Sequence, residues 1–320
     1  MKWKERIKVR EMSDVKIDVL IPAYHPDMTF GQLLRALVSQ KVPVNKVIII
    51  NTEREWWESR HMDQALPKEL MTEVHHITKQ EFDHGATRKM AASFSDADIL
   101  LFMTQDAVPS NSMLTQHILE AFEDKKTAMV YARQLPVKGC RLIEQYTRSF
   151  NYPPESCIKT KEDLPKLGIK TYFASNVCAA YRRDVFWKLG GFIEKTIFNE
   201  DMIFAAHVIQ AGYQIAYQAD AKVIHSHNYS GMQYLRRNFD LGVSQADFPE
   251  IFDELPSEGE GIRLVKKTAA FLMKNKKPWL LYSLVWTSGC KYVGYRLGKN
   301  YKKLPKAAVV WLSMNKNYWK

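Results

Sequence analysis

Acidic and histidine side chains that can bind a cation or accept a proton occur at three places in the sequence. The first is Asp106, which directly follows the apolar run Ile99–Met103, a pattern typical of a strand buried on both faces of a sheet. Because Pro109 cannot continue the strand, Asp106 is expected just past its carboxyl end, where open α/β sheets bind ligands. A carboxylate there fits two interpretations, a ligand for a divalent cation and a solvated turn.

The second and third places are Asn199-Glu200-Asp201 and the histidines of His225-Ser226-His227. The acidic pair begins a predicted helix, where a carboxylate can act as a general base. Acids are also common at helix starts because the helix dipole stabilises them. His225 and His227 follow a predicted strand and share one face, either as metal ligands or as ordinary strand-end residues.

The elements that must position these residues alternate between strand and helix through the first half of the chain. This alternation predicts an α/β fold with a mostly parallel sheet and right-handed crossovers. The sequence contains neither GxGxxG after the first strand nor GxxxxGK[ST], so a dinucleotide-binding fingerprint and a P-loop are absent. The predicted strands are Ile17–Tyr24, 44–50, 73–78 and Ile99–Met103, and the predicted helices are 30–40, 66–72 and a helix that begins at His84.

The second half is predicted to be less regular. A helix over 112–123 and a strand over 127–132 precede a long loop over 133–167, which contains four prolines. The remaining predicted elements are a strand over 171–181, a helix over 183–189 that ends at Gly190-Gly191, a helix that begins near Phe198, and strands over 214–218 and 221–224.

Charge is distributed unevenly along the 320 residues. Residues 261–320 contain 14 of the 46 basic side chains and no acidic one, so the first 260 residues carry 32 basic and all 35 acidic side chains. Nucleic-acid binding is disfavoured because the body of the protein is slightly acidic. The four cysteines form no CxxC pair, which indicates reduced thiols rather than a zinc site or a disulfide framework.

Membrane-spanning and secretory segments are not predicted. Met1–Asp18 is charged and has no apolar core typical of a signal peptide. The uncharged stretch Pro278–Cys290 is shorter than the ~20 residues that a spanning helix needs. A cytoplasmic location is therefore expected.

Six motifs in order resemble the inverting glycosyltransferases of family 2, which have the GT-A fold. Within that family the chain is most similar to bacterial rhamnosyltransferases with a dTDP-rhamnose donor, which carry Thr-Gln-Asp-Ala where relatives have Asp-x-Asp. The resemblance covers about residues 17–247. The motifs are Ile21-Pro22-Ala23-Tyr24, Thr104-Gln105-Asp106-Ala107, Leu189-Gly190-Gly191-Phe192, Asn199-Glu200-Asp201, Ala211-Gly212-Tyr213 and His225-Ser226-His227, together with Arg133-Gln134-Leu135-Pro136 and Phe150-Asn151-Tyr152-Pro153.

The resemblance implies a divalent cation, Mg²⁺ or Mn²⁺, on the diphosphate of a nucleotide-sugar donor. Asp106 is the implied carboxylate ligand, and His227 is a further ligand that would favour Mn²⁺. Thr104 stands where the family has its first acid, so a weaker metal site is expected. For His225 the strand-end interpretation is kept.

The same resemblance assigns further residues. Asp201 is the implied general base, ranked above Glu200. The implied donor-binding residues are Tyr24, Asn51, Glu53, Arg88, Gln105 and Asp106. The implied sugar- and acceptor-binding residues are Arg133, Asn176 and Glu200. For Arg88 a surface helix position is the equally simple alternative, and Arg236-Arg237 either reach the diphosphate or lie on a solvated helix face.

The predicted organisation is a lead-in over 1–16, a GT-A domain over 17–260 and a basic, aromatic-rich helical extension over 261–320. Lysines interleaved with aromatic residues predict helices that lie on the inner face of an anionic cell membrane. Packing of these aromatic residues against the body or in a homodimer is the alternative.

The predicted activity is transfer of L-rhamnose from dTDP-β-L-rhamnose to a lipid-linked glycan during synthesis of a surface polysaccharide. One alternative is the same fold with another donor such as a UDP-hexose, because a fold does not determine its substrate. Another is a non-catalytic, membrane-tethered glycan-binding module, which the missing acid at Thr104 favours. A nucleotidyltransferase is disfavoured because Tyr24-His25-Pro26-Asp27 is not a glycine-rich phosphate loop.

Overall fold

The computed structural model describes residues 15–253, 255 and 258–320. Nearly all of the predicted lead-in over 1–16 lies outside this range. The strands are β1 (Ile17–Tyr24), β2 (Lys46–Thr52), β3 (Thr72–Ile77), β4 (Ile99–Met103), β5 (Val108–Pro109), β6 (Thr127–Leu135), β7 (Cys157–Lys159), β8 (Cys178–Arg182) and β9 (Gln214–Ile224).

The helices follow the same chain order. They are α1 (Met28–Val38), α2 (Arg54–Ser59), α3 (His84–Ser93), α4 (Leu114–Ala121), α5 (Leu142–Asn151), α6 (Leu164–Leu167), α7 (Arg183–Lys188), α8 (Glu200–Gln210), α9 (Gly231–Asp247), α10 (Pro249–Phe252), α11 (Glu258–Lys274), α12 (Leu280–Lys299) and α13 (Lys306–Leu312).

The strands form one mixed sheet in the order β3-β2-β1-β4-β8-β6-β9-β5, with β7 paired to β9. Strands β1 to β4 are parallel to one another, as their alternation with helices predicts. Strand β8 then pairs antiparallel to both β4 and β6. This reversal brings Val177, just before β8, beside the end of β4, where Thr104 N donates to Val177 O over 3.1 Å.

The sheet has an apolar core on both faces, and the charged residue Asp18 is buried within it. Buried residues cover both faces of β1, β2 and β4, and they form a cluster on each side of the sheet. Asp18 in β1 is fully buried, and its carboxylate accepts hydrogen bonds from Asn45 Nδ2 and Ser95 Oγ. A buried carboxylate is tolerated because these two donors replace water.

Three regions differ from the sequence-based expectation. The helix predicted over 66–72 is wrong, because residues 66–71 contain no helix and residue 72 begins β3. The predicted loop over 133–167 contains α5, β7 and α6. Of the strand predicted over 171–181, only residues 178–181 lie in a strand, β8. The two strands predicted over 214–224 are one strand, β9, because the register shift between Ala132 and Arg133 in β6 accommodates the interruption. Polar residues and prolines give these short elements no clear periodic pattern in the sequence. They are stabilised instead by contacts with distant parts of the chain, as in the pairing of β7 with β9.

The C-terminal helices pack closely on the body. A Cβ at Gly294 of α12 would lie 2.1 Å from Leu235 O, and one at Gly298 would lie 2.1 Å from Phe239 O in α9. Glycine is therefore required for these two helices to approach so closely. None of the helices in the described ranges is both long and apolar enough to cross a membrane.

Candidate active site

Asp106, His225 and His227 converge at the ends of β4 and β9. Strand β5 pairs antiparallel with β9, with Val108 opposite Ile224, and this pairing places the residues before β5 beside those after β9. Asp106 Oδ2 lies 3.4 Å from His225 Nε2 and 3.3 Å from His227 Nε2. One oxygen and two nitrogens thus face a common point.

The ionisation of this cluster suits a cation. Burial opposes ionisation of Asp106, but the hydrogen bond and charge of His225 outweigh it and hold the Asp106 pKa well below its usual range. Burial and the neighbouring His225 lower the pKa of His227 to about 4, so its ring is neutral at neutral pH. An ionised carboxylate beside the neutral imidazole of His227 suits a divalent metal ion.

Gln134 fixes the orientation of the His225 ring. Its Oε1 accepts from Arg148 Nη1 and lies 3.2 Å from His225 Nδ1. Because an arginine can only donate, this Oε1 must be an acceptor, and His225 Nδ1 therefore carries the proton. His225 Nε2 is then the ring nitrogen that faces Asp106, and after losing its proton it can bind a cation while Nδ1 stays protonated, as in metal-ligating histidines. The residues of this cluster therefore fit a divalent cation.

Glu200 and Asp201 are adjacent in sequence but have different surroundings. Glu200 is buried, 3.3 Å from Arg88 Nη1, and accepts from Asn176 Nδ2. Asp201 is only partly buried, and one of its oxygens accepts from the backbone N–H of Asn176 over 3.0 Å. Glu200 is thus enclosed in an ion pair, whereas Asp201 keeps accessible surface.

Burial, together with the negative charge of Glu200, raises the pKa of Asp201 to about 7. A carboxylate with this pKa accepts protons more readily than an ordinary aspartate at neutral pH.

A short chain of hydrogen bonds connects Asp201 to the metal-ligand cluster. Gln134 Nε2 donates to Ser175 Oγ, and the backbone N–H of the next residue, Asn176, donates to Asp201.

The nucleotide candidates lie at the ends of β1 and β2. Tyr24 is 44% exposed, its ring stacks on His25, and the ring centroid lies 5.2 Å from Lys79 Nζ. Gln105 Oε1 accepts from the backbone N–H of Tyr24 over 2.8 Å, and Gln105 Nε2 donates to Tyr24 O over 3.0 Å. Gln105 therefore supports Tyr24 and links it to Asp106.

Glu53 and Asn51 occupy different depths. Glu53 has a positive φ of 73° and pairs with Lys79 over 2.7 Å and with His25 over 2.9 Å. Asn51 has no exposed surface, and its amide donates to Glu53 O. Asn51 is thus placed to hold the Glu53 turn, while Glu53 faces a cavity of about 900 Å³.

Arg88 and Arg133 lie in other elements, α3 and β6. Arg88 is 6% exposed and is engaged by Glu200 and by His84 O, so the structure does not place it as a surface helix residue. Arg133 is partly buried, and its Nε has no hydrogen-bond partner among the described residues. Their predicted contacts with substrate stay predictions.

A second cavity, of about 330 Å³, joins the nucleotide edge to the start of α8. Lys79, His84 and Arg237 contribute to its wall, and burial lowers the pKa of His84 to about 4. Sequence patterns gave no signal for Lys79 or His84. For His225 a signal existed, because it lies two residues before His227 on the same face.

Comparison with known proteins gives consistent similarities. The family model described as glycosyl transferase family 2 matches residues 18–190. O-antigen chain rhamnosyltransferase RfbN of Salmonella typhimurium is 40% identical over 95% of this chain and 96% of its own length. O-antigen chain rhamnosyltransferase WbaN of Salmonella anatum is 47% identical over 94% of this chain and 95% of its own.

Solved structures share the fold at much lower identity. A mannosyltransferase from Pyrobaculum calidifontis, in complex with GDP-Man and Mn²⁺, has a TM-score of 0.54 at 16% identity, covering 99% of this chain and 90% of its own. S. aureus TarS 1–349, in complex with UDP-GlcNAc, has a TM-score of 0.53 at 14% identity, covering 90% of this chain and 92% of its own. These similarities confirm the predicted GT-A-type fold.

Proposed function

The chain belongs to glycosyl transferase family 2, and from this premise we propose that it transfers L-rhamnose from dTDP-β-L-rhamnose to a lipid-linked glycan during O-antigen synthesis. That it is a glycosyltransferase follows from the family match and from two relatives named as rhamnosyltransferases over nearly the whole chain. The observation that carries the rhamnosyl assignment is the sequence identity of 40% and 47% over at least 94% of each chain.

Asp201 is the proposed base. The residue is partly exposed, and its carboxylate, with a pKa of about 7, accepts the proton of an acceptor hydroxyl as that oxygen attacks the anomeric carbon. Attack on the face opposite the leaving dTDP inverts the configuration and gives an α-L-rhamnoside. Glu200, held by Arg88 and Asn176, keeps the Asp201 pKa raised and fixes the start of α8.

Asp106, His225 and His227 are the proposed ligands of a divalent cation, with Mn²⁺ favoured over Mg²⁺ because two of the three donors are nitrogens. When bound, such an ion neutralises the charge of the leaving diphosphate as a Lewis acid. Mn²⁺ titration followed by electron paramagnetic resonance tests the site without turnover. His225→Ala should weaken Mn²⁺ binding, and equal binding by both proteins would exclude His225 as a ligand.

The missing acid at Thr104 does not favour a non-catalytic module. Two histidine nitrogens lie beside Asp106, so a ligand set exists without a second carboxylate. The partly exposed Asp201 also retains the group needed for proton transfer.

Donor choice is tested by incubating the protein and an extract of lipid-linked glycan with dTDP-rhamnose, UDP-glucose or GDP-mannose. We expect consumption of dTDP-rhamnose alone, and an α-anomeric linkage in the product by NMR. Consumption of a UDP-hexose instead would support the alternative donor, a choice that the fold leaves open because solved structures of this fold carry GDP-Man and UDP-GlcNAc.

A peripheral position on the inner membrane is proposed from an exposed aromatic face along α12. Its members lie at helical spacing and are each at least 47% exposed: Trp279, Tyr282, Val285, Trp286, Tyr292 and Val293. Contiguous exposed apolar surface of this kind marks an interaction site. The basic charge of the same region fits anionic lipid, which brings the enzyme to a lipid-linked acceptor. Homodimerisation through this face stays a further prediction.

A further inference from the structure

The end of the chain forms part of the wall of the 330 Å³ cavity. Met314, Asn315 and Asn317 line this cavity together with Tyr24 and Thr52 of the nucleotide edge. Nothing in the sequence pattern of this segment indicates a ligand site. The cavity therefore contains residues from both extremes of the described chain.

Specific contacts hold the segment there. Asp240 in α9, 3% exposed, accepts hydrogen bonds at Oδ2 from the backbone N–H of Met314 over 2.9 Å and of Asn315 over 3.2 Å. Tyr318 OH donates to Lys195 O over 3.3 Å. Just before the segment, Leu312 packs in a small core cluster with residues of α9 and with Ile197.

The cavity has the chemistry of a nucleoside pocket. Aromatic rings of Tyr24, Phe82 and Phe198 offer apolar faces, and the amides of Asn315 and Asn317 offer paired donors and acceptors. A mostly apolar wall with a few polar groups is typical of small-molecule sites, and 330 Å³ lies at the lower end of their volumes. Lys79 and Arg237, which also line it, supply cations for phosphate.

We infer that Met314–Asn317 closes the pocket for the nucleoside of the donor, and that Asn315 and Asn317 hydrogen-bond to that nucleoside. This inference rests on the proposed function only in taking a nucleotide sugar as the ligand. It assigns a donor-binding role to a segment that the sequence placed in a membrane-associating extension. The two amides would then contribute to recognition of the base or of its deoxyribose.

The test is nucleotide binding by calorimetry, without acceptor or turnover. Wild type, Asn315→Ala, Asn317→Ala and Lys316→Ala are each titrated with dTDP, UDP and GDP. Lys316 is the matched control, because it is exposed in the same segment and does not line the cavity. We expect each asparagine variant to bind the preferred nucleotide about 10-fold more weakly, as loss of a ligand hydrogen bond predicts, and Lys316→Ala to bind it as wild type does.

Thermal unfolding without nucleotide separates binding from stability. The inference requires asparagine variants that unfold at the wild-type temperature yet show a smaller upward shift on adding nucleotide. Wild-type affinity in both variants would overturn it. A wild-type preference for UDP or GDP would instead contradict the dTDP donor, and the C-terminal role would still be decided by the asparagine variants.

Discussion

At the scale of single residues, two adjacent carboxylates are given different properties by their neighbours. Glu200 forms an ion pair with Arg88. Burial alone would raise the Glu200 pKa, but the guanidinium of Arg88 outweighs burial and the pKa is lowered. Asp201 has no cationic partner of its own among the described residues and accepts only backbone N–H groups from Asn176 and Met202. The division of roles therefore arises from one ion pair.

Asp201→Asn should reduce transfer by roughly 10²- to 10⁴-fold, the usual contribution of a general base. Because the residue is not placed at the nucleotide edge, dTDP binding should stay within a factor of about two by our estimate. The comparison is kcat for transfer against the dTDP dissociation constant. Asp220→Asn, at a 65% exposed side chain, is the control. Near-normal turnover in Asp201→Asn would exclude it as the base.

The pH dependence of kcat follows from the same carboxylate. A base works only when ionised, so with a pKa of about 7 activity should rise as pH rises through 7 and fall about tenfold per unit below it. The variant Glu200→Gln removes the neighbouring negative charge and so lowers the Asp201 pKa. The pH range over which kcat rises should therefore move to lower pH. An unchanged pH dependence of kcat in that variant would show that a group other than Asp201 determines it.

At the scale of elements, close contact between α9 and α12 joins the C-terminal helices to the site. These helices approach through Gly242, Gly294 and Gly298. Helix α9 also carries Arg237 and Asp240 to the cavity, so its position affects donor binding.

Two glycines of the same helix should respond in opposite directions to substitution by alanine. Gly294→Ala places a Cβ 2.1 Å from Leu235 O, which must separate the helices and should lower the free energy of unfolding by about 2 kcal/mol or more. Gly289→Ala meets no atom within 4 Å and should raise it by up to about 1 kcal/mol through helix propensity. Urea unfolding of both variants measures this, and equal effects would contradict the packing argument.

At the scale of the whole molecule, the region after residue 260 has two faces. One packs on α9 and completes the small cavity, and the other exposes aromatic residues. Deleting residues 261–320 would remove both, so it cannot test membrane binding alone. Substitution on the exposed face separates the two.

The triple substitution Trp279→Ser, Tyr282→Ser and Trp286→Ser should weaken cosedimentation with anionic phospholipid vesicles by more than about 10-fold, because burial of a large apolar side chain is worth roughly 1.5–3 kcal/mol. Added salt should weaken wild-type binding too, as surface charges are screened. Met28→Ser with Met71→Ser, at residues 86% and 70% exposed elsewhere, is the control. Unchanged sedimentation of the triple variant would contradict the membrane face.

Sequence alone determined the parallel half of the sheet and the strand ends that carry Tyr24, Glu53 and Asp106. Apolar runs, and the prolines or polar residues that end them, extend over a few neighbouring residues, so they can be recognised locally. The same holds for Asp201 at the start of a helix.

Only the tertiary structure decided that His225 joins Asp106, that Arg88 encloses Glu200 rather than Asp201, and that Asn315 reaches the cavity. Each of these contacts joins residues far apart in the chain, or chooses between neighbours that have the same local pattern. Strand pairing and helix packing set such distances, and periodicity within a short segment carries no information about them.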